Sequence, residues 1–209
     1  MLSGEADRLS DVYLALLHWP VLNKDGRVVA TAITCFDLHD IARAALTYGV
    51  RRYFLVNPLS SQRKLAERIT RYWQSGPSAD WNPTRRDAFQ IVRVVERLED
   101  VIAAIRDEAG KAPRVVVTTA RPWPRAVGCE WLRRQMAADE GPWLLLFGTG
   151  WGLAEEVKEQ ADYVLEPIVG PGAYNHLSVR AAVAVILDRL LAPGAQGRQG
   201  LQREMSSVF

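Results

Sequence analysis

The first segment with a composition typical of ligand-binding loops contains alternating glycines. Residues 148–153 read GTGWGL, directly after the apolar run Trp143–Phe147. Without Cβ atoms, such a backbone can approach a ligand closely and offer its amide groups. The spacing does not match the GxGxxG dinucleotide fingerprint, and the sequence has no GK[ST] phosphate loop. The pattern indicates either a ligand-binding loop or a tight turn between a strand and a helix.

A second loop of this kind follows the next predicted strand, Tyr163–Leu165. Residues 166–178 read EPIVGPGAYNHLS and end at Ser178, a residue type that caps helices well. Long loops without secondary structure are uncommon in compact domains and tend to be functional. Because the two loops follow neighbouring strands, we predict a ligand site between them.

Apolar periodicity predicts the elements that must position these loops. The predicted strands are Val12–Leu17, Tyr53–Val56, Ile91–Val95, Arg114–Thr118, Trp143–Phe147 and Tyr163–Leu165. The predicted helices are Asp37–Tyr48, Ser60–Gln74, Leu98–Glu108, Glu130–Asp139, Leu153–Gln160 and Ser178–Leu191. Residues Ser75–Arg86 are rich in Gly, Pro, Ser and Asn and predict a loop. Since strands alternate with helices, we expect an α/β fold with a mostly parallel sheet covered by helices on both faces. In such sheets ligands bind at the carboxyl ends of the strands.

Composition is that of one ordinary globular domain. The 209 residues are 48% hydrophobic and 24% charged, with a net charge of +2. No run reaches the roughly 18 apolar residues of a membrane helix. The polar start MLSGEADRLSD lacks the apolar core of a secretion signal. We therefore expect one domain over residues 1–192, a flexible tail over 193–209, and a cytoplasmic location.

Two further compositional features bear on function. Of the 26 basic residues 22 are arginines, which suit phosphate and base contacts, although a GC-rich genome gives the same bias. Cys35 and Cys129 lack partners at disulfide or metal-ligand spacing. We expect both to be small buried or half-buried side chains, and we expect no metal site.

Taken together, three segments resemble the SPOUT superfamily of RNA methyltransferases. GTGWGL and EPI-VGPGAYNHLSVRAAVAVILDRL are similar to its last two motifs. Asp37-x-His39-Asp40-x-x-Arg43, followed by Gly49-Val50, is similar to its first motif. The resemblance covers residues 12–191 and is nearest to a bacterial branch in which TAxTxxDxHDxARxxxTYG and YNHLSVR recur. It implies an S-adenosylmethionine (SAM)-dependent RNA methyltransferase with a deep C-terminal trefoil knot, which general folding rules would not predict.

The resemblance also implies which residues hold the cofactor. In the superfamily, backbone atoms of three loops surround the adenine of a bent SAM molecule. By position these residues are Thr118, Thr119, Ala120, Gly148, Thr149, Gly150, Ile168, Gly170, Tyr174, His176, Leu177 and Ser178. Members form homodimers through the knot region, and their RNA site draws on both subunits.

One departure from the superfamily bears on the methylated atom. Ribose 2′-O-methylating relatives carry a glutamate within the glycine loop and an asparagine before the final serine. Here the loop lacks the glutamate, and His176 stands in place of the asparagine. We therefore expect methylation of a base in tRNA or rRNA. The alternatives are ribose 2′-O-methylation, methylation of a protein or small molecule, and a knotted SAM- or nucleotide-binding protein that regulates or scaffolds without methyl transfer.

The first motif supplies the candidate catalytic residues. By resemblance, Arg43 lies beside the transferred methyl, where it could hold an RNA phosphate or lower the pKa of the acceptor. Asp37, His39 and Asp40 crowd one end of the same helix, and any of them could take the proton. Asp37 is equally well explained as a helix N-cap, and His39 as a structural residue.

Arginines near aromatic residues are the candidates for RNA contact. An arginine can pair with a phosphate and stack on a base, as an aromatic ring does. We select Arg51, Arg52, Arg85, Arg86, Arg121 and Arg125, of which the last four lie near Trp81 or Trp123. For each of these arginines taken singly, a solvated surface position is the alternative explanation.

Overall fold

Six strands, each parallel to its neighbours, form the central sheet of the computed structural model. The structure describes residues 11–75, 77–172 and 174–193. Across the sheet the strands are β5 (Val92–Val95), β4 (Arg52–Val56), β1 (Val12–Leu17), β7 (Trp143–Gly148), β6 (Arg114–Thr118) and β8 (Tyr163–Leu165). The predicted parallel α/β sheet is confirmed, and each predicted strand is present within one residue at either end.

Helices cover both faces of the sheet. One face carries α1 (Cys35–Thr47), α2 (Ser60–Ser75), α4 (Pro83–Gln90), α6 (Cys129–Ala138) and α8 (Val179–Leu191). The other face carries α5 (Leu98–Ala109) and α7 (Glu155–Glu159). Because successive side chains of a strand point to opposite faces, the central strands need apolar residues at every position. All six residues of β1 are buried for this reason.

The start of α1 differs from the sequence prediction. Thr34, not Asp37, is the N-cap: its Oγ1 accepts a hydrogen bond from the Asp37 N–H at 3.2 Å. The same hydroxyl donates to Asp37 Oδ2 at 2.7 Å. The prediction of Asp37 as the cap is therefore wrong, since the helix begins two residues earlier. The helix ends at Thr47, one residue before the predicted end, and Gly49 follows with φ of 72°, which suits glycine.

The loop predicted over Ser75–Arg86 is also wrong. It contains α3 (Pro77–Trp81) and the first residues of α4. Asn82 caps α4 by accepting a hydrogen bond from the Arg85 N–H at 3.0 Å, and Pro83 follows at the first helical position. Proline is favoured there because its missing N–H would be unpaired anyway. The prolines that suggested a loop instead mark helix starts.

A short hairpin that the sequence did not predict packs on the glycine loop. Its strands, β2 (Val21–Leu22) and β3 (Val28–Val29), are antiparallel and only two residues long, which is too short for a periodic signal. The Leu22 N–H donates to the Gly152 carbonyl at 2.8 Å, and the Trp151 N–H donates to the Leu22 carbonyl at 2.9 Å. The hairpin thereby fixes the backbone of the loop after β7.

The remaining expectations have mixed outcomes. Cys129 is half-buried as expected, but Cys35 is exposed, and both are free thiols. Helix α7 begins at Glu155, two residues later than predicted. Within the described ranges, no helix is long and apolar enough to cross a bilayer. Residues 194–209 lie outside the described residues, so the flexible tail and the domain limit at residue 192 stay predictions.

Candidate active site

A cavity of about 760 Å³ opens at the carboxyl edge of the sheet. Its walls are the loops after β1, β6, β7 and β8 together with the first turns of α8. Phe147, Ala182 and Ile186 give it an apolar surface, and threonine hydroxyls and backbone groups give it polar ones. This volume and mixture are those of a small-molecule site, which spans about 300–1,000 Å³.

The glycine loop forms one wall, and two of its glycines allow close backbone packing. Gly150 has φ of 59°, and a Cβ there would lie 2.8 Å from the Leu22 carbonyl oxygen of the hairpin. A Cβ on Gly148 would meet Leu153 Cγ at 2.7 Å. A side chain at either position would therefore displace the loop itself, so the loop depends on glycine for its shape.

The other two loops are held against each other. Thr118 Oγ1 donates to the Leu146 carbonyl at 2.9 Å, which fixes the end of β6 against β7. Asn175 Nδ2 donates to the Ala120 carbonyl at 3.2 Å, which holds the loop after β8 against the loop after β6. Ser178 then caps α8 by accepting a hydrogen bond from the Ala181 N–H at 3.3 Å. The three loops thus converge on one cavity.

Most of the residues predicted to hold the cofactor are found at this cavity. Those that line it are Thr118, Thr119, Ala120, Gly148, Thr149, Gly150, Ile168, His176, Leu177 and Ser178. Gly170 and Tyr174 do not line it. Tyr174 is 78% exposed, and its ring lies edge-on to that of His176 at 5.3 Å between centroids. Whether each residue contacts a cofactor stays a prediction.

Of the four candidate catalytic residues, the structure brings Asp37 to the cavity. Its carboxylate is buried and faces Arg180 Nη1 of α8 at 3.8 Å. Asp40 lies outside the cavity wall, with its carboxylate 3.4 Å from Arg180 Nε. The Arg180 guanidinium therefore joins the start of α8 to the first motif.

His39 and Arg43 are not brought to this cavity. The His39 ring packs edge-on against Trp73 at 5.3 Å and Phe89 at 4.9 Å, between α1, α2 and α4. Burial, followed by the charge of Arg85, lowers the pKa of His39. His39 therefore has the setting of a structural residue, which was the alternative explanation. Arg43 is exposed on the surface of α1.

The candidate RNA-binding arginines separate into distinct places. Arg121 lines the cavity, with its guanidinium 5.9 Å from the centroid of Trp151. Beside it, Lys158 Nζ lies 4.2 Å from the centroid of Trp123, so two cation–aromatic pairs form the cavity rim. Arg125 is exposed on the same loop, with φ of 60°.

The other four arginines lie away from the cavity. Arg51 precedes β4 and Arg52 begins it, at the amino edge of the sheet. Each guanidinium lies within 3.7 Å of the Glu108 carboxylate. Their contact with RNA stays a prediction, at the edge of the sheet opposite the cavity. Arg85 lies 4.6 Å over the Trp73 ring, and Arg86 pairs with Asp87 at 3.2 Å.

Sequence reasoning missed His18, which follows β1. The side chain lines the cavity, is 1% exposed and has Nδ1 2.9 Å from Thr31 Oγ1. Burial lowers its pKa to about 4, although the charge of Asp37 acts in the opposite direction. Its place directly after a buried strand, at the carboxyl edge of a parallel sheet, was the available signal.

The open parallel sheet has a nucleoside-sized cavity, lined by backbone loops, at the carboxyl ends of its strands. This arrangement is that of an α/β protein that binds a small molecule. A family model described as SAM-dependent RNA methyltransferase matches residues 11–192, so the chain belongs to this family. The expectations of an RNA methyltransferase and of SAM as its cofactor are thereby confirmed.

Three similar proteins show how far the likeness extends. An uncharacterized protein of Aquifex aeolicus (strain VF5) is 44% identical over 87% of this chain and 89% of its own length. A tRNA (guanine-N(1)-)-methyltransferase of Oleidesulfovibrio alaskensis is 42% identical over 87% of this chain, but over only 42% of its own length. The solved structure of the A. aeolicus TrmH/SpoU tRNA modifying enzyme covers 96% of this chain and has 81% of its own length covered, at a TM-score of 0.54 and 16% identity. That structural likeness shows the fold, and the chain spans less than half of the O. alaskensis enzyme, so the named activity of neither protein is carried over directly.

The protein should lose stability as the pH falls from about 6.5 to about 4. Unfolded His18 takes up a proton below about pH 6.5, whereas burial keeps the folded side chain neutral down to a pKa of about 4. The unfolded state therefore binds more protons in this window, which lowers the free energy of unfolding by up to about 3 kcal/mol. Urea unfolding near neutral pH and near pH 4 measures this loss.

His18→Asn supplies the comparison. The variant should lose clearly less stability between the two pH values than the wild type does. His176→Asn removes an exposed histidine and should retain the wild-type difference. An equal loss in wild type and His18→Asn would contradict the assignment of this pH dependence to His18.

Proposed function

We propose that the protein transfers the methyl group of SAM to a base nitrogen of tRNA or rRNA, and that it does so in the cytoplasm. The cavity supports this most directly, because the two loops that resemble the last SPOUT motifs meet the loop after β6 around it. It combines apolar side chains with unobstructed backbone groups, as a nucleoside requires. The proposal extends the family assignment to a substrate and to named residues.

We assign the cofactor to the backbone of three segments. These are Thr118–Ala120, Gly148–Gly150 and the segment formed by Ile168 and residues 176–178. The apolar side chains of Phe147 and Ile186 provide surfaces for an adenine ring. Bound SAM supplies a methyl group that is already activated, so the protein must align the acceptor and manage one proton.

We include the trefoil knot in the proposal. Strand β8 lies at the edge of the sheet beyond β6, yet α8 packs against β7 and α1. The chain must therefore return across the loop after β6, and the hydrogen bond from Asn175 to Ala120 lies on that return. Such a return is what threading of the C-terminal segment would require.

We also propose a homodimer through the knot region. Apolar side chains near the cavity and the start of α8 are unusually exposed for a lone subunit. They are Phe36 at 67%, Val169 at 74%, Tyr174 at 78% and Leu177 at 50%. Association of two copies through this surface would bury them next to the cofactor loops.

Asp37 and Arg180 are assigned to orienting the acceptor. Oδ2 of Asp37 accepts a hydrogen bond from Thr34, and Oδ1 faces Arg180. Both carboxylate oxygens are thus engaged, which fixes the side chain in the cavity wall. Arg43 is exposed and outside the cavity of its own subunit, so we propose that it completes the site of the partner subunit by holding an RNA phosphate.

The rim of the cavity is suited to a single-stranded segment of RNA. Arg121 and Lys158 provide positive charge for phosphates. Trp151, which is 55% exposed, offers a ring on which a base can stack. An RNA strand crossing this rim would present one nucleotide to the cavity.

Ribose 2′-O-methylation remains a second candidate because of Glu155. The glycine loop itself lacks the glutamate of ribose-modifying relatives, but Glu155 of α7 lines the same cavity. A carboxylate there could accept the proton of a ribose hydroxyl. We place base methylation first because Glu155 lies beyond the loop, at the start of the next helix.

Labelled SAM and RNA from a strain that lacks the gene test the proposed activity. The purified protein should restore one methylated nucleoside that is missing from this RNA, as measured by mass spectrometry. The product should be a base-methylated nucleoside and should be released by ribonuclease. A ribose-methylated product would support the second candidate. SAM binding without incorporation, or ribonuclease-resistant incorporation, would contradict the proposal.

Arg43→Ala should lower the rate of methyl transfer by about 100-fold, because a misplaced acceptor reacts far more slowly. Its affinity for SAM, measured by calorimetry, should stay within about twofold, since Arg43 does not line the cavity. Arg68→Ala removes an exposed arginine of α2 and should keep the wild-type rate. Full activity of the Arg43 variant would remove this residue from the mechanism.

A further inference from the structure

Two features of the His18 side chain suit a base that acts on a bound substrate. The ring lines the cavity and is almost completely removed from solvent. Its Nε2 atom is buried and has no hydrogen-bond partner among the described residues. Buried polar atoms are nearly always paired, so an unpaired one at a cavity wall points to a partner supplied by the ligand.

A chain of hydrogen bonds fixes the position of the ring proton. The Leu17 carbonyl can only accept, and Thr149 Oγ1 donates to it at 3.4 Å. The Thr31 hydroxyl therefore donates to Thr149, at 2.5 Å, and accepts from His18 Nδ1 at 2.9 Å. This direction puts the proton on Nδ1 and leaves the lone pair on Nε2. The glycine loop, through Thr149, thus selects the basic form of Nε2.

We propose that His18 is the general base of methyl transfer. This assignment rests on the proposed function and adds a residue to it. As the acceptor nitrogen bonds to the methyl carbon, the carbon–sulfur bond breaks and its electron pair stays on sulfur. The N–H proton of the acceptor passes to Nε2 of His18, which becomes an imidazolium. Sulfonium and neutral imidazole are thereby converted into thioether and imidazolium, so charge is conserved.

The surroundings of His18 suit this role. Burial favours the neutral ring, so the base is available at physiological pH. Asp37 of α1 is the charged group whose field acts on His18, and its negative charge stabilises the imidazolium that forms. The groups joined to His18 by hydrogen bonds, directly or through Thr31, are uncharged. They are the hydroxyls of Thr31 and Thr149 and the Val56 carbonyl, which accepts from the main-chain N–H of His18.

Nuclear magnetic resonance of the cofactor-free protein tests the tautomer without measuring activity. The chain has three histidines, so loss of one set of signals in His18→Asn assigns the ring. At neutral pH, Nε2 should show the ¹⁵N shift of an unprotonated nitrogen and Nδ1 that of a protonated one. Thr31→Val should weaken this preference, because it removes the acceptor for Nδ1. A proton on Nε2 in the wild type would overturn the proposal.

Single-turnover kinetics test the proton transfer itself. His18→Asn should lower the rate about 100-fold, keep wild-type affinity for SAM, and give a rate that rises with pH as hydroxide replaces the lost base. The wild-type rate should be flat over the same range. Asp37→Asn should slow the reaction without creating this rise. A rise in Asp37→Asn but not in His18→Asn would assign the base to Asp37 instead.

These experiments distinguish the proposed role of His18 from the proposed function of the protein. Transfer by the wild type with an unimpaired His18→Asn variant would refute the role of His18 and leave the proposed function intact. No transfer by the wild type to any RNA would refute the proposed function. Circular dichroism establishes whether each variant is folded, and Thr31→Val supplies a second route to the tautomer if His18→Asn fails to fold.

Discussion

The shape of the cavity depends on backbone hydrogen bonds between the glycine loop and the hairpin that follows β1. Leu22 donates to Gly152 and accepts from Trp151, and the Ala154 N–H donates to the Pro20 carbonyl at 3.1 Å. These bonds require close approach of two main chains, which Gly150 permits because it has no side chain. The loop contains a tight turn, in which the Gly152 N–H donates to the Thr149 carbonyl at 3.1 Å, and the hairpin fixes this turn as a wall of the cavity.

The parallel sheet brings the ends of several strands together at one edge and so forms the site. Because β1, β6 and β7 run in the same direction, His18, Thr118 and the glycine loop emerge at one edge. Helix α8 closes the site from the side, and its Arg180 faces Asp37 of the first motif. The loops that would hold SAM and the wall that would receive the acceptor are therefore parts of one connected structure, in which Thr149 joins the glycine loop to His18 through Thr31.

The elements that could be predicted from the sequence are those with a strong local pattern. Fully apolar strands such as β1 and β7 were clear because burial on both faces demands continuous hydrophobic residues. Helices α3 and α4 were missed because Pro77 and Pro83 suggested a loop, although proline also starts helices. His18 was missed because its chemistry depends on a hydrogen-bond chain to Thr149, 131 residues away in sequence. Such long-range contacts leave no local pattern.

We propose that the backbone of three loops encloses the adenosine of SAM. A crystal structure with S-adenosylhomocysteine, the product that remains after methyl transfer, tests it most directly. Adenine should lie between Gly148–Gly150 and residues 176–178, hydrogen-bonded mainly to main-chain atoms, with the sulfur facing the wall formed by His18 and Asp37. Adenosine bound elsewhere, with the glycine loop and the loop before α8 unengaged, would contradict it.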